Sequence, residues 1–512
     1  MCLEATSMQG RREQQLTFSD ALWPNEIPEN SYWARMRKYL LQIDESVFSP
    51  LFSHTGRPSI SPVLTFGAML IQLEMGWSDR QLEEESRFDD RCKYAFGVSR
   101  DFAGIDAVTL CEHRARFIES GIIFTLFRDL LADAKAKDLL SEDKLEIVDS
   151  FMTYGAAAVQ DTYTLLRKGV VRVLKIAEFH ELDSKLTTVL DRKDYMTDAK
   201  PKINWDDPEE KRLLLESYVV DARNLVAAVR ALQPLPRDLK DAADLLERIA
   251  KQDIEDDDGQ IKMKRGVAKD RIISVNDPDM RHGRKTSSSK FDGYKTHIMT
   301  DGNFVTAVVE TPANKADSEP FPDLMDQCEA NGIKFTEVMG DSAYSNWPII
   351  DRKAKDGITV IAKVPSEPIV DGRYPKSKFD IDTENGVVAC PEGFAAQFDP
   401  SAIERREGTV ARFSDCTECP SKAECTGSPR GRSISIHRYE PEIAAERKKQ
   451  ATPEFKEFYS ERANGERIIS HLTRHGGRQA RYIGIFKVWC QEVLTALNHN
   501  IKAFYRLAPA TG

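Results

Sequence analysis

The sequence predicts an α/β protein in which an all-α N-terminal part precedes a domain built from both strands and helices. Three observations carry this. Residues 63–75, VLTFGAMLIQLEM, are apolar nearly all round, as a core helix is. At 144–149 the text switches to KLEIVD, a short apolar run ending on an acid. Strand-like runs return at 294–301, 304–310, 335–341 and 358–364, separated by helical and irregular stretches.

Taken in order, residues 1–58 are a polar segment with few periodic signals, and 59–125 form a helical domain. Gly76 stops its core helix, and Ser78 with Gln81 makes a capping box that opens a helix through about Phe88. Another helix is expected between about 107 and 120, with Arg114 and Arg116 among its apolar positions. Short helices with tight turns suit a helix-turn-helix-like DNA-binding unit. They suit any small helical bundle equally well. Beyond KLEIVD, residues 170–255 read as helical, with Asp207-Pro208-Glu209-Glu210 as cap, N1 proline and acidic first turn. Leu213, Leu214, Val220 and Leu225 supply an apolar face, and the acidic run 255–258 with Gly259 ends the block in a loop. YKTHIMTD and FVTAVVE are two strands joined by Asp301-Gly302-Asn303, a hairpin turn. A helix is expected at about 315–331, then the strands FTEVMGD (335–341) and ITVIAKV (358–364). An irregular stretch with Pro and Cys runs to about 440, and the last hundred residues are helical, broken at Gly476-Gly477.

The 512 residues, 41 % hydrophobic, leave room for about three domains with ample cores. No run of about 18 apolar residues exists to span a bilayer, and the start, MCLEATSMQGRREQQ, lacks the apolar middle of a signal peptide. Nine cysteines are too few for a disulfide scaffold. The expectation is a cytoplasmic protein with no membrane partner. The net charge of −10 speaks against a nucleic-acid partner, but it hides local polarity. Residues 261–300 hold ten Lys/Arg against four Asp/Glu, and 466–506 hold seven against two.

Two strands, LEIVD and TEVMGD, end in Asp149 and Asp341. A buried strand delivers its last side chain to the sheet edge, where open α/β folds place their sites. Two such aspartates on adjacent strands suit hard divalent cations through oxygen ligands, and a pair of metal ions suits phosphodiester chemistry. Taken singly, each aspartate reads equally as a residue that starts a turn. Tyr459, Arg462 and Glu466 lie on one stripe of a helix. Their bland reading is a surface salt bridge; the functional one is a carboxylate completing a metal pair, with Tyr459 and Arg462 gripping phosphate.

The set VDS at 148–150, GDSAY at 340–344 and Y-x2-R-x3-E at 459–466 resembles the DDE transposases of bacterial insertion sequences. The stretch PSISPVLTFGAMLIQLEMGWSDRQLEEESRFDDRCKYAFGV is similar to the InsH-type domain that precedes their catalytic domain, and NDPDMRHGRKTSSSKFDGYKTHIMTD resembles the family's second-strand region. The likeness covers about 59–505. It implies an RNase H-like mixed sheet over about 140–505, interrupted by a helical block at about 160–270 and a Cys-containing one at about 365–450. Asp149 would lie on the first strand, Asp341 on the fourth and Glu466 on a helix behind it, together holding Mg2+ or Mn2+. The activity implied is cleavage of DNA strands at element ends and their transfer into target DNA. The partners implied are the double-stranded terminal inverted repeats and the target, bound by a homo-oligomer at the nucleoid. The family pattern continues from the Glu through six residues to a Lys, where this chain has Thr473 followed by Arg474. Either Arg474 takes the phosphate-binding role or that contact is missing. The alternatives are a host nuclease of the same fold without strand transfer, and a remnant that binds DNA without cutting it.

Among other acids, Asp161 reads as structural, Asp292 and Asp301 as turn residues, and Glu457 and Glu461 miss the Tyr/Arg spacing. Gly465 makes sense where a DNA backbone or a neighbouring strand approaches closely. Arg281, His282, Arg284, Lys285, Lys290 and Lys295 form a dense basic run, and Arg474, Arg478, Arg481 and Lys487 a second. Such runs are either solvated surface or a track for the DNA backbone; of these residues Arg284, Lys285, Arg474, Arg478 and Arg481 are the candidate DNA contacts. Cys390, Cys416, Cys419 and Cys425 are spaced C-x25-C-x2-C-x5-C. Four thiolates satisfy a tetrahedral Zn2+ site, although the flanking spacings fit no standard module and reduced, unligated cysteines are the other reading. Cys2, Cys92, Cys111, Cys328 and Cys490 are scattered and expected to be inert.

Overall fold

The computed structural model describes residues 27–508 except 54, 56, 57, 141–144, 198–200, 258, 259, 287, 366, 368, 370, 415 and 417. Cys2 and the turn at Asp258-Gly259 therefore lie outside the described residues. The protein is mixed α/β, and its chain divides into two units: residues 1–142, 150–333 and 467–512 form one, and residues 143–149 and 334–466 the other. Among the described residues no helix is long and apolar enough to cross a membrane.

The larger unit opens with helices Tyr32–Gln42, Pro62–Met75, Asp79–Phe88, Asp90–Phe96, Ala107–Ser120 and Ile122–Ala136. Every residue from Pro62 to Leu73 is buried, as its all-round apolar text requires. Gly76 closes this helix in the left-handed conformation (φ 68°). The capping box forms as read: Ser78 Oγ accepts from Gln81 N at 3.2 Å, and Gln81 Oε1 accepts from Ser78 N at 2.8 Å. Arg114 turns inward, and its guanidinium meets Asp79 at 2.7 and 3.1 Å. The 23-residue helix Ile485–Leu507 completes this core from the far end of the sequence. Asn498 Nδ2 donates to Leu70 O, and Asn500 pairs with both backbone groups of Val305 at 2.8 Å.

A second core in the same unit gathers helices Thr162–Phe179, Pro208–Arg230 and Arg237–Gln252. The face that Pro208–Arg230 buries is Leu214, Leu215, Tyr218, Val219, Ala222 and Leu225, whereas Leu213 is 51 % exposed and Val220 only half-buried. The acidic run does not end the block as a loop: Ile254–Asp257 is a strand paired antiparallel with Gln260–Met263. The sheet strands of this unit are the second half of β1 (Leu145–Tyr154), β2 (Lys290–Thr300) and β3 (Val305–Pro312). β2 and β3 pair antiparallel from Tyr294↔Pro312 to Thr300↔Val305. Asp301 Oδ1 accepts from Asn303 N and Phe304 N to close the hairpin, and Gly302 takes φ 94°. A short strand, Arg281–Arg284, pairs with Lys290–Gly293. The following helix starts at Phe321 rather than 315. Pro320 and Pro322 set that limit, because proline is tolerated only in a first turn.

The smaller unit contains the first half of β1, β4 (Glu337–Gly340) and β5 (Thr359–Ala362), all parallel. The stretch read as irregular is built of short strands: Asp380–Asp382, Val387–Ala389 and Ala395–Gln397 form one antiparallel sheet, and Gly408–Arg412 with Ser433–His437 another. Strands of three to five residues are too short for alternation to stand out. Helices Glu440–Gln450 and Pro453–Tyr459 follow, then the start of Ala463–Leu472, which belongs to this unit only as far as Glu466.

Candidate active site

Asp149, Asp341 and Glu466, the acidic residues singled out in the sequence, all belong to the smaller unit. β1 and β4 run parallel with Ile147 opposite Met339, so Asp149 and Asp341 each stand two residues beyond that pair. The close approach needs Gly340, where a Cβ would lie 2.8 Å from Val148 Cγ1 and 2.9 Å from Tyr344 Cδ2. Asp341 also does what its bland reading expects: its Oδ1 accepts from Ala343 N at 2.8 Å and caps the turn Ser342–Tyr344.

Glu466 enters from the first turn of Ala463–Leu472. Arg462 ties it to the strand: Nη1 donates to Asp149 Oδ2 at 3.0 Å, and Nη2 donates to Glu466 Oε1. Burial pulls the Arg462 guanidinium down, but the carboxylates of Asp149 and Glu466 more than offset this and hold it above its ordinary value. Asp149 is largely covered (side chain 15 % exposed) while Glu466 is open to solvent at 57 %. Three carboxylates are the hard oxygen donors that Mg2+ or Mn2+ takes, and Arg462 is a cation already seated between two of them. Among the described residues no three such side chains stand together as an ion-holding group. The donor set fits the ion chemically, and seating one requires Arg462 to give way.

Tyr459 is not turned outward for phosphate. Its hydroxyl donates to Gly340 O at 2.8 Å, one residue before Asp341. Its ring stacks on Phe455 (centroids 5.5 Å, 17°) and lies under Lys363 Nζ at 5.2 Å. Burial pushes the phenol up to about 12, helped by the Asp341, Asp149 and Glu466 carboxylates against the pull of Arg462. It stays a donor, and it holds the end of β4 in place.

Two family models match this chain. One, described as a transposase DDE domain, matches residues 389–505, the span that carries Tyr459, Arg462 and Glu466. The other, a transposase domain (DUF772), matches residues 23–116, the span of the N-terminal helices. Both matches support an insertion-sequence DDE transposase. No curated protein and no solved structure matches it significantly.

Apart from Arg462, the basic residues read as candidate DNA contacts lie in the larger unit. Arg284 and Lys285 are exposed at the end of Arg281–Arg284. Arg474 is exposed in the irregular turn Thr473–Gly477. Arg478 is exposed, and its carbonyl accepts from Tyr154 N at 3.0 Å. Arg481 differs: its guanidinium donates to Trp77 O, and burial and Arg114 hold it below its ordinary value. Of the histidines, His471 faces His499 (3.2 Å) and Lys502 (2.9 Å), and His475 pairs with Glu74 at 3.1 Å. His282 pairs with Asp292. Asp161 caps Thr162–Phe179 by accepting from Thr164 N at 3.0 Å.

Gly465 meets a strand side chain: a Cβ there would stand 2.8 Å from Ile147 Cγ2. Gly465→Ala is expected to push Ala463–Leu472 off β1 and to cost about 1–3 kcal/mol, the usual range for overpacking. Urea unfolding measures this, and Ile147→Ala in the same chain should recover part of the loss. Additive losses would show that the two positions do not touch.

Proposed function

We propose that this transposase cuts DNA strands at the ends of its element and joins the freed 3′-hydroxyls to target DNA, using an RNase H-like core. The observation that carries the reading is the placement of Asp149 and Asp341 at one level of adjacent parallel strands, with Glu466 drawn to Asp149 through Arg462. β1 beside the β2–β3 hairpin in one unit, and beside parallel β4 and β5 in the other, is the strand set that such a core needs. The helical residues 160–270 and the Cys-containing residues 365–450 are the two interruptions of that core, and 59–125 is the DNA-binding domain.

Asp149, Asp341 and Glu466 would hold the divalent cations. Mg2+ or Mn2+, when bound, activates the attacking oxygen and neutralises charge on the leaving one. Arg462, released from the two carboxylates when an ion is seated, brings its positive charge to the place where a scissile phosphate gathers negative charge. Tyr459 positions Asp341 through Gly340 O. Arg284, Lys285, Arg474 and Arg478 track the backbone of double-stranded element ends and target, in a homo-oligomer acting at the nucleoid.

The test is a duplex carrying the inverted repeats that bracket the gene, incubated with the purified chain and Mg2+ or Mn2+. Nicks at the repeat end leaving 3′-hydroxyls, followed by joined products, are expected. Nicking without end preference or joining would leave a nuclease, and binding without nicking a DNA-binding remnant. Arg474→Ala is expected to weaken binding across sequences and lower the salt slope by about one; an effect confined to one base position would contradict a backbone role.

A further inference from the structure

The four cysteines that the DNA chemistry leaves unused are brought together in the smaller unit from three separate elements. Cys390 follows the strand Val387–Ala389 and sits in a tight turn: its N donates to Phe394 O at 2.8 Å, and Gly393 N donates to Cys390 O at 2.9 Å. Cys416 comes after the strand Gly408–Arg412, with its Sγ 3.9 Å from Phe413 O and packed against Gly431. Cys419 precedes the short helix Lys422–Cys425 and accepts from Lys422 N, and Cys425 ends that helix. All four are free thiols, and all four line one cavity of about 30 Å³. Cys425 is buried and the other three are half-buried.

We infer that Cys390, Cys416, Cys419 and Cys425 form a tetrathiolate zinc site that clamps the two small sheets and the Lys422–Cys425 helix into one body. Four sulfurs are the donor set of a soft or borderline ion in a closed tetrahedral site, whereas Mg2+ and Ca2+ take oxygen. The sulfurs surround the cavity without yet converging on a point, since among the described residues no three such side chains form an ion-holding group. Side-chain rotation into the space they share closes the site, and four bonds of about 2.3 Å are the expected result.

Two features of the surroundings fit a charged centre. Zinc with four thiolates carries a net charge of −2, which a buried site must offset. Arg432 lines the same cavity, with Nη1 and Nη2 donating to Cys425 O and Tyr374 O. Its Nε is buried without a hydrogen-bond partner among the described residues, a donor available to a thiolate. The apolar core here is also thin. It comprises nine buried residues, two of them alanine and one Cys425 itself. A core of that size orders several short strands only with an added staple, and a structural metal supplies folding free energy directly.

The inference does not depend on the acidic site, and its test contains no DNA. The full chain, purified without added metal, should carry about one zinc by atomic emission, released when the thiols are titrated with a mercurial. Cys416→Ser and Cys425→Ser should lose it, while Cys111→Ser, an exposed thiol elsewhere, should keep it. Should the variants fail to fold, the unaltered chain still decides the matter. Stripped with a chelator and given Co2+, it should show thiolate charge-transfer bands and the intense d–d bands of a tetrahedral site, and zinc should then bleach both. A chain with all four cysteines intact that carries no zinc and gives no tetrahedral cobalt spectrum overturns the assignment. So does a Cys416→Ser chain that retains its zinc, or a native chain that carries iron in its place.

Discussion

Asp149→Asn is expected to lower strand cleavage by several kcal/mol in barrier, about a thousandfold, while leaving affinity for element-end DNA largely intact. The amide keeps the shape and the hydrogen bond to Arg462 but removes a charge that a hard cation requires. Asp341→Asn should behave in the same way, with a mild stability cost because the amide oxygen still caps Ser342–Tyr344. Glu466→Gln separates two roles. If Glu466 only anchors Arg462, the loss should be small; if it helps hold the ion, the loss should approach that of the aspartates and ease with raised Mn2+. Cleavage on end-labelled duplex alongside a binding titration makes the measurement. Retained cleavage in Asp149→Asn would remove this residue from the site.

Glu492→Gln is expected to change the pH profile of stability. Glu310 and Glu492 are buried in the larger unit, and among the described residues one oxygen of each, Glu310 Oε1 and Glu492 Oε2, has no hydrogen-bond partner. Burial pushes Glu310 up to about 8 although the Thr296 hydroxyl pulls against it, and burial together with Glu310 pushes Glu492 well up. A carboxyl raised from 4.5 in the folded state contributes stability that is complete below 4.5 and is lost as pH climbs through the folded value. Buried His113 and His297 and half-buried His471 and His499 are held below 6.5, chiefly by burial, so their contribution is complete above 6.5 and fades only as pH falls. Above about pH 6.5 the carboxyl pair therefore governs the slope. The unaltered chain should lose stability between about pH 6.5 and 8.5, whereas Glu492→Gln should be flatter and more stable at the upper end by on the order of 2 kcal/mol. Urea midpoints across that range decide it, and parallel profiles would show that the pair carries no proton-linked cost.

Where one segment alone decides its structure, the text was readable. Pro62–Met75, the Ser78 capping box and the Asp301-Gly302-Asn303 hairpin turn each carry their own signal, in apolar density, cap chemistry or turn residues. The level placement of Asp149 and Asp341 was legible only in part: the strand Glu337–Gly340 does stop just before its acid, but β1 runs on to Tyr154, so Asp149 is an internal strand residue and not the strand end the sequence suggested. What escaped depends on partners distant in sequence. Tyr459 and Arg462 shared a helical stripe, but nothing local says that the phenol serves Gly340 O, 119 positions away, or that the guanidinium is taken by Asp149, 313 positions away. Arg114 looked like a polar residue among apolar neighbours, and only Asp79 across the bundle explains its burial. Arg481 resembled its exposed neighbours in charge while its donors went to Trp77 O. The short strands between 380 and 437 are held by tertiary pairing, for which a run of three residues leaves no periodic trace.

The helix Ile485–Leu507 has a consequence for the order in which the molecule is made. The Tyr32 hydroxyl donates to Asn498 across 466 positions, and Asn498 also reaches Leu70 O across 428. At about 5–20 residues per second, a ribosome that has just released Tyr32 needs roughly 20–90 s to deliver Asn498. Throughout that wait the apolar circumference of Pro62–Met75 lacks the helix that covers part of it in the finished chain. Completion of this core therefore waits for the helix Ile485–Leu507 to be made, and the nascent chain passes through a long interval as a client for chaperones. A polypeptide halted before Ile485 should be captured by them or digested rather than persist as a partly working protein.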